Sequence, residues 1–222
     1  NAFAPMIFSP TQTEELLRSV QKAIRKEEKY FFRDLSACTA ILLMAGCGLR
    51  ISEPLRLTRK NFDPDEGSLY IEKTKFHKDR LIPLPRTCLA HMKNYLNVRR
   101  RIVEKSKHLP LLARQSGSYL SFEDIYRRFN EAAKATGVRR PKHTIANTTF
   151  GAPTPHSLRH SFAINTLKSI RDRGGSAREM LPVLSVYMGH RKYRYTAVYL
   201  KFLDAEQRNN LVDFSIKRQD EV

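Results

Sequence analysis

Three tyrosines near the C-terminal end of the chain could include a chemical nucleophile. The stretch MGHRKYRYTAVYLKF, residues 188–202, holds Tyr193, Tyr195 and Tyr199 among basic side chains. A tyrosine phenol has a reference pKa of about 10. It can therefore act as a nucleophile at neutral pH only when the electrophile is held in place and another group accepts the phenol proton. The alternative for each tyrosine is packing, or contact with a phosphate through its hydroxyl.

Two arginines and a histidine could supply the clamp and the proton acceptor. Attack on a phosphodiester places extra negative charge on the non-bridging oxygens, and guanidinium groups can bind such oxygens bidentately. Arg50 follows a glycine-terminated apolar segment in GCGLRISEPLRL, and Arg159 lies in TPHSLRHSFA after His156, a candidate general base. Taken singly, each residue is a weak indication, because a cap arginine is usually solvated and HxxR arises by chance in so basic a chain.

Neither a metal nor another cofactor is expected. His156 and His160 lie four residues apart, which is the spacing of a metal pair, but the glutamate of HExxH is absent and no third ligand is obvious. Cys38, Cys47 and Cys88 are odd in number, widely spaced and without a CxxC pair, so we interpret them as reduced core residues.

The composition favours nucleic acid as the partner. Basic residues outnumber acidic ones 40 to 22, which gives a formal charge of +18. Such an excess attracts polyanions, because neutralising phosphates releases condensed counterions. The basic residues are spread along the chain rather than gathered in one amphipathic helix, which disfavours an anionic membrane surface. With no signal-peptide pattern and no uninterrupted apolar run of about 18 residues, we expect a cytoplasmic protein, associated with the nucleoid of a bacterium or archaeon.

The candidate residues become specific when their motifs are taken in order. The motifs are GCGLRISEPLRL with Arg50 and Glu53, TKFHKDRLIPLP with Lys75, TPHSLRHSFA with His156 and Arg159, MGH with His190, and AVYLKF with Tyr199. This ordered set resembles the catalytic domain of the tyrosine recombinase and phage integrase family over residues 10–203. The resemblance implies a site-specific DNA recombinase of the integrase or transposase type, which cleaves and rejoins strands through a 3′-phosphotyrosyl intermediate. Such a link conserves the phosphodiester energy, so neither a metal nor a nucleotide triphosphate is required.

The family's spacing assigns the nucleophile. It places the catalytic tyrosine nine residues after His190, at Tyr199, and leaves Tyr193 and Tyr195 too close to His190. His190 follows a helix C-terminus, where the dipole favours its charged form, so it could donate a hydrogen bond to the scissile phosphate. Packing is the alternative for His190.

The resemblance gives the general-acid role to a lysine of a β-hairpin, here Lys75. A cation that protonates the departing 5′ oxygen is worth roughly 10²–10⁴ in rate. Lys73 and Lys78 flank Lys75, and only the match to the family's hairpin selects it.

Glu53 is predicted to be a carboxylate that orients Arg50 or His156. The alternative is a surface ion pair with Arg56 or Arg59, which would contribute little to stability.

The hydrophobic patterns predict an α+β fold that is mainly α-helical and carries a small antiparallel β-sheet. Two or three strands are expected between Phe62 and Pro85, with Lys75 in or beside a turn. A loop is expected at 139–155, and Pro54 should end or bend a helix. Helices are expected at about 10–28, 34–46, 87–101, 121–135, 156–167 and 176–188.

We expect a catalytic domain at 1–203 and a C-terminal tail at 204–222. The tail has a short apolar face: Leu211, Val212, Phe214 and Ile216. It either packs as a helix on a neighbouring protomer or folds back or frays. The family's N-terminal DNA-clamping domain is not visible, and the chain begins with Asn1.

The expected partners are double-stranded DNA, further copies of the chain in a tetramer on paired DNA sites, and a possible partner recombinase. Two other functions stay open: a type IB topoisomerase-like nicking-closing enzyme, and a catalytically silent DNA-binding module.

Overall fold

The computed structural model describes residues 2–72, 79–103, 110–145, 147–190 and 192–205. The chain divides after Phe162 into two compact units. The expected class is confirmed, since the described elements are mainly helices with small β-sheets.

Four helices form the core of the first unit. Helix α2 packs against the other three, and α1 also contacts α4. Their bounds are Pro10–Lys22 for α1, Glu28–Cys47 for α2, Arg86–Ile102 for α3 and Phe122–Ala135 for α4. By length and composition α2 is the one helix, among the described residues, that could cross a membrane. However, 61% of its most apolar window is buried inside the protein, as in a core helix.

Helix α1 is shorter than predicted. Ser9 caps it through a capping box with Gln12, as the sequence indicated, but it ends at Lys22 rather than near Glu28. Arg25 explains the early end, because its backbone N–H and its guanidinium group both donate to the carboxylate of Asp34 on α2. This interaction draws the chain out of helical geometry after Lys22.

The predicted antiparallel strands are present in the first unit. Strands β2 (Phe62–Asp63), β3 (Ser68–Ile71) and β4 (Arg80–Pro83) pair in sequence order, with Leu69 opposite Ile82 and Ile71 opposite Arg80. The connection between β3 and β4 contains Lys75, which lies outside the described residues.

The prediction of a plain loop at 139–155 is wrong. Strands β5 (His143–Ile145) and β6 (Thr148–Phe150) form an antiparallel hairpin there, and β6 also pairs in parallel with β1 (Ala2–Ala4). The turn-forming residues around the hairpin concealed two short β-branched strands. Their second partner, β1, lies near the start of the chain, too far away in sequence for a local pattern to reveal.

Helix α5 (Pro155–Asp172) carries the HxxR motif and continues into the second unit. There it is followed by α6 (Ala177–Tyr187), which Ser176 caps, and by a helical segment at 194–205. The remainder of the predicted tail, and with it the proposed apolar face, lies outside the described residues.

Candidate active site

Arg50 is placed by a glycine at the end of α2. Gly48 adopts a left-handed conformation with φ of 62°, which few residues other than glycine tolerate. A Cβ atom at this position would lie 2.5 Å from Cδ1 of Phe162, so the close approach also requires glycine. Leu49 is then buried, and Arg50 emerges beyond it with a half-buried side chain.

Glu53 holds Arg50 at two points. Its Oε2 accepts the backbone N–H of Arg50 at 2.8 Å, and its Oε1 accepts Nη1 of the Arg50 guanidinium at 3.0 Å. The backbone N–H of Glu53 donates in turn to the Arg50 carbonyl at 2.8 Å. Helix α2 has already ended at Cys47, so Pro54 breaks no helix; it opens a short 3₁₀ turn, Pro54–Arg56.

A third residue, Arg80, also binds Glu53. Nη2 of Arg80 donates to Oε2 of Glu53 at 2.9 Å, and the two side chains are only 6% and 8% exposed. Burial alone would raise the pKa of Glu53, but the hydrogen bond and the charge of Arg80, with the Arg50 amide, hold that pKa below its usual value. The observed partners are therefore Arg50 and Arg80, not a surface pair with Arg56 or Arg59.

The role of Arg80 was missed from the sequence, although one pattern there points to it. Along β4 the buried positions are Arg80 and Ile82, while Leu81 is exposed. Alternation with Ile82 therefore places the arginine on the inner face of the strand, where a charge needs a partner.

Arg159 lies next to the turn that presents Arg50. It is 1% exposed, and its Nη1 donates to the backbone carbonyl of Gly48. Its charge also contributes to lowering the pKa of Glu53. Both predicted clamp arginines thus lie at the short segment that follows α2. Arg50 belongs to this segment, and Arg159 binds it from α5.

His156 lies at the exposed start of α5, near both arginines. Partial burial of the ring, together with the charges of Arg159 and Arg50, lowers the pKa of His156 below its ordinary value. The imidazole is therefore neutral at neutral pH and can accept a proton, as a general base must. His160, one turn further on, packs edge-to-face against it with 4.6 Å between ring centroids.

The second unit holds His190 and Tyr199, whereas Lys75 falls within the range of the first unit but outside the described residues. His190 follows Gly189 beyond α6, and its Nδ1 is 2.7 Å from Oγ1 of the buried Thr196. Tyr199 lies in the helical segment 194–205 and is 4% exposed, with its ring centroid 6.3 Å from that of His190. The sequence did not reveal Thr196 as the partner of His190.

Tyr193 and Tyr195 differ sharply from Tyr199. Each is 49% exposed, and the ring of Tyr195 lies edge-on to that of His190, with 6.5 Å between the centroids. Arg194 lies over the ring of Tyr195, with 5.4 Å from Cζ to the centroid. Both side chains remain accessible for phosphate contact.

The first unit thus unites Arg50, Glu53, His156 and Arg159, and the second unites His190 with Tyr199. The guanidinium groups can bind the oxygens of an anionic ester, and the neutral imidazole beside them can accept a proton. Across the described ranges, no group of three or more His, Cys, Asp or Glu side chains could hold a metal ion.

Comparison with known proteins places these residues in a family context. The sequence model of the Phage integrase family matches residues 8–206. The Sinorhizobium fredii protein y4rE is 33% identical over 168 residues, which cover 76% of this chain and 51% of that protein. Tyrosine recombinase XerA of Pyrococcus furiosus is 29% identical over 219 residues, covering 96% of this chain and 66% of XerA. The chain thus spans between about half and two thirds of the length of these curated relatives.

Solved structures show the same fold. A crystal structure of XerA recombinase matches with a TM-score of 0.65 at 18% identity, covering 92% of this chain and 66% of that one. XerH site-specific recombinase, bound to its difH substrate before cleavage, matches with a TM-score of 0.65 at 24% identity, covering 88% and 50%.

Proposed function

Because the chain belongs to the phage integrase family, we propose that it is a tyrosine recombinase that cleaves and rejoins DNA strands through Tyr199. The observation that carries this proposal is the arrangement at the Gly48 turn. Arg50 follows this turn and is held by Glu53, Arg159 binds the Gly48 carbonyl, and the neutral His156 lies nearby. All of these residues lie within the part of the chain that the family model matches. XerA and XerH, named above, are recombinases, which favours this function over a topoisomerase or a silent DNA-binding module.

Each residue has a defined role in the proposed reaction. The Tyr199 oxygen attacks the scissile phosphorus, the bond to the 5′ oxygen breaks, and a 3′-phosphotyrosyl link forms. Arg50 and Arg159 bind the non-bridging oxygens, on which charge accumulates in the transition state. His156 accepts the phenol proton, and attack by a 5′ hydroxyl on the phosphotyrosine reverses the sequence to rejoin the strand.

Two further roles complete the proposal. Lys75 donates a proton to the departing 5′ oxygen, a role that rests on its motif. His190 donates a hydrogen bond to a phosphate oxygen, with Thr196 fixing the imidazole orientation. Glu53 acts through Arg50 and does not touch the DNA.

The proposed partner is double-stranded DNA, bound by a tetramer of the chain on paired sites, with or without a partner recombinase. The charge of +18 supports the polyanionic partner. We place this activity in the cytoplasm, at the nucleoid. Residues 1–203 are the proposed catalytic domain, and residues 204–222 are the proposed tail, which packs on a neighbouring protomer, folds onto its own domain or frays.

A covalent-capture experiment tests the nucleophile. The chain is incubated with nicked suicide duplexes that cover the ends of its own genetic element, and protein–DNA adducts are resolved on denaturing gels. We expect an adduct with the wild type and none with Tyr199→Phe, whose DNA affinity should be unchanged. Tyr195→Phe is the matched control, because it removes a hydroxyl from the same segment at an exposed position.

The alternatives give different results. An adduct that survives in Tyr199→Phe would disprove the assignment. Relaxation of supercoiled DNA without any specific site would favour the topoisomerase-like function. Salt-sensitive binding without an adduct from any duplex would favour the binding-only module.

A further inference from the structure

Arg80 is a buried charge that the proposed chemistry does not use. It opens strand β4, on the same face as the core residue Ile82. Its Nη2 lies 2.9 Å from Oε2 of Glu53, the same oxygen that accepts the backbone N–H of Arg50. A charge is costly to bury, so a buried arginine that is hydrogen-bonded to the carboxylate holding Arg50 indicates a defined task.

The interaction joins two parts of the chain that the chemistry needs together. Glu53 and Arg50 belong to the turn after α2, whereas Arg80 lies 27 residues beyond Glu53, at the end of the connection that carries Lys75. Arg80 follows Lys75 closely in the sequence and pairs across the ladder with Ile71. It therefore marks the base of the β3–β4 hairpin.

Glu53 cannot hold Arg50 in one position unless it is itself held. One carboxylate oxygen binds the Arg50 guanidinium and the other binds the Arg50 amide and Arg80. Arg50 is half-buried and can exchange its bond for water, whereas Arg80 is enclosed. The pair of Arg80 and Glu53 is thus the fixed part of this network, and the Arg50 side chain is the part that can move.

We propose that Arg80 is a positioning residue for strand cleavage, which locks Glu53 and thereby Arg50 to the base of the hairpin that carries the general acid. The inference rests on the proposed function and adds a residue to it. Arg80 touches neither the DNA nor the nucleophile. It sets the distance between the phosphate clamp and the origin of the hairpin, so its loss reduces the rate of cleavage rather than the affinity for DNA.

The test compares Arg80→Met, which keeps an unbranched apolar stem but removes the guanidinium group and its charge, with Glu53→Gln and the double variant. Single-turnover adduct formation on a suicide duplex should slow roughly 10- to 100-fold in Arg80→Met, as for other residues that orient a ligand-binding group. DNA affinity should stay within about twofold. The two substitutions should be strongly non-additive, because each removes the same ion pair between Glu53 and Arg80. Arg59→Met is the matched control, since Arg59 binds the Phe62 carbonyl instead.

A second measurement tests, without any cleavage reaction, whether Arg80 keeps Glu53 bound to Arg50. Hydrogen exchange at the Arg50 amide, which donates to Glu53, should accelerate at least about tenfold in Arg80→Met but not in Arg59→Met. If Arg80→Met is too unstable to purify, the double variant and Arg80→Lys replace it, because they leave no buried unpaired carboxylate.

Three outcomes would overturn the inference: wild-type cleavage by Arg80→Met, a loss of DNA affinity that accounts for the whole loss of rate, or unchanged exchange at the Arg50 amide. A wild-type chain that forms no adduct would contradict the proposed function alone, and the exchange measurement would still decide whether Arg80 holds Arg50.

Discussion

At the scale of single residues, Glu53 binds Arg50 and is itself bound by Arg80, a buried side chain from strand β4. The motifs predicted which local elements carry Arg50, His156 and Arg159, because helix ends and short spacings are local properties. The Arg80 bond to Glu53 and the Arg159 bond to Gly48 join residues 27 and 111 positions apart. Such pairs depend on the packing of the folded chain and leave no periodic trace.

The histidine pair on α5 makes a prediction about pH and stability. Burial, followed by the charges of His156 and Arg159, lowers the pKa of His160 to about 4. As the pH falls from about 6.5 towards 4, the unfolded chain takes up a proton that the folded chain refuses, so the free energy of unfolding falls. One proton corresponds to at most about 1.4 kcal/mol per pH unit.

Urea unfolding at several pH values checks this prediction. His160→Gln should make the free energy of unfolding depend less on pH between about pH 6.5 and pH 4. His143→Gln, at an exposed position, should leave this pH dependence unchanged. Equal slopes for all three chains would contradict the assignment to His160.

At the scale of elements, long periodic segments were predictable and their ends were not. Helix α2 begins at Glu28 rather than at about residue 34, and residues such as Phe32 and Asp34 are buried on its first turns. The β5–β6 hairpin was missed because its strands have three residues each and their stabilising partner β1 lies at the other end of the unit.

Asp34 is the residue that joins these helices. It is fully buried and accepts hydrogen bonds from Arg25 after α1 and from Arg128 on α4. Burial alone would raise the pKa of Asp34, but the hydrogen bonds and charges of the two arginines hold it below its ordinary value.

Asp34→Asn should therefore lower the free energy of unfolding by about 3–5 kcal/mol, because it leaves buried guanidinium charge uncompensated. Chemical denaturation with urea measures the loss. Glu14→Gln, which breaks the exposed pair with Arg18, should change the stability by no more than about 0.5 kcal/mol. A comparable effect of the two substitutions would show that the Asp34 network is not a structural tie.

At the scale of the whole molecule, the motifs divide between two compact units that share α5. The predicted clamp and base belong to the first unit, and His190 and Tyr199 to the second. No single motif predicts this division, since each is complete within a few residues. The charge is also uneven: between Glu131 and Asp172 the sequence contains no acidic residue, and this stretch includes the β5–β6 hairpin and the start of α5.

Removing positive charge from the base of the β5–β6 hairpin should reduce the salt dependence of DNA binding. The substitutions to alanine are at three exposed residues: Arg139, Arg140 and Lys142. For each phosphate that the variant no longer neutralises, the slope of log K against log salt should become shallower by about 0.9. Fluorescence anisotropy with a labelled duplex at several salt concentrations gives the slope.

The control carries the same reduction of charge on α3, at three other exposed residues: Lys93, Arg100 and Arg101. A slope that falls equally in both triple variants would mean that only net charge matters and that the hairpin binds no particular phosphates.

Gly48 bears on how such a chain can evolve. The backbone conformation, the Phe162 ring and the Arg159 bond all converge on this residue. Replacing this glycine would therefore disturb the fold whether or not the chain acts on DNA. A lineage that abandons recombination and keeps the fold would be free to replace Tyr199, yet would still retain this glycine. Loss of the tyrosine in a homologue would therefore leave the fold possible, whereas loss of the glycine would not leave this turn intact.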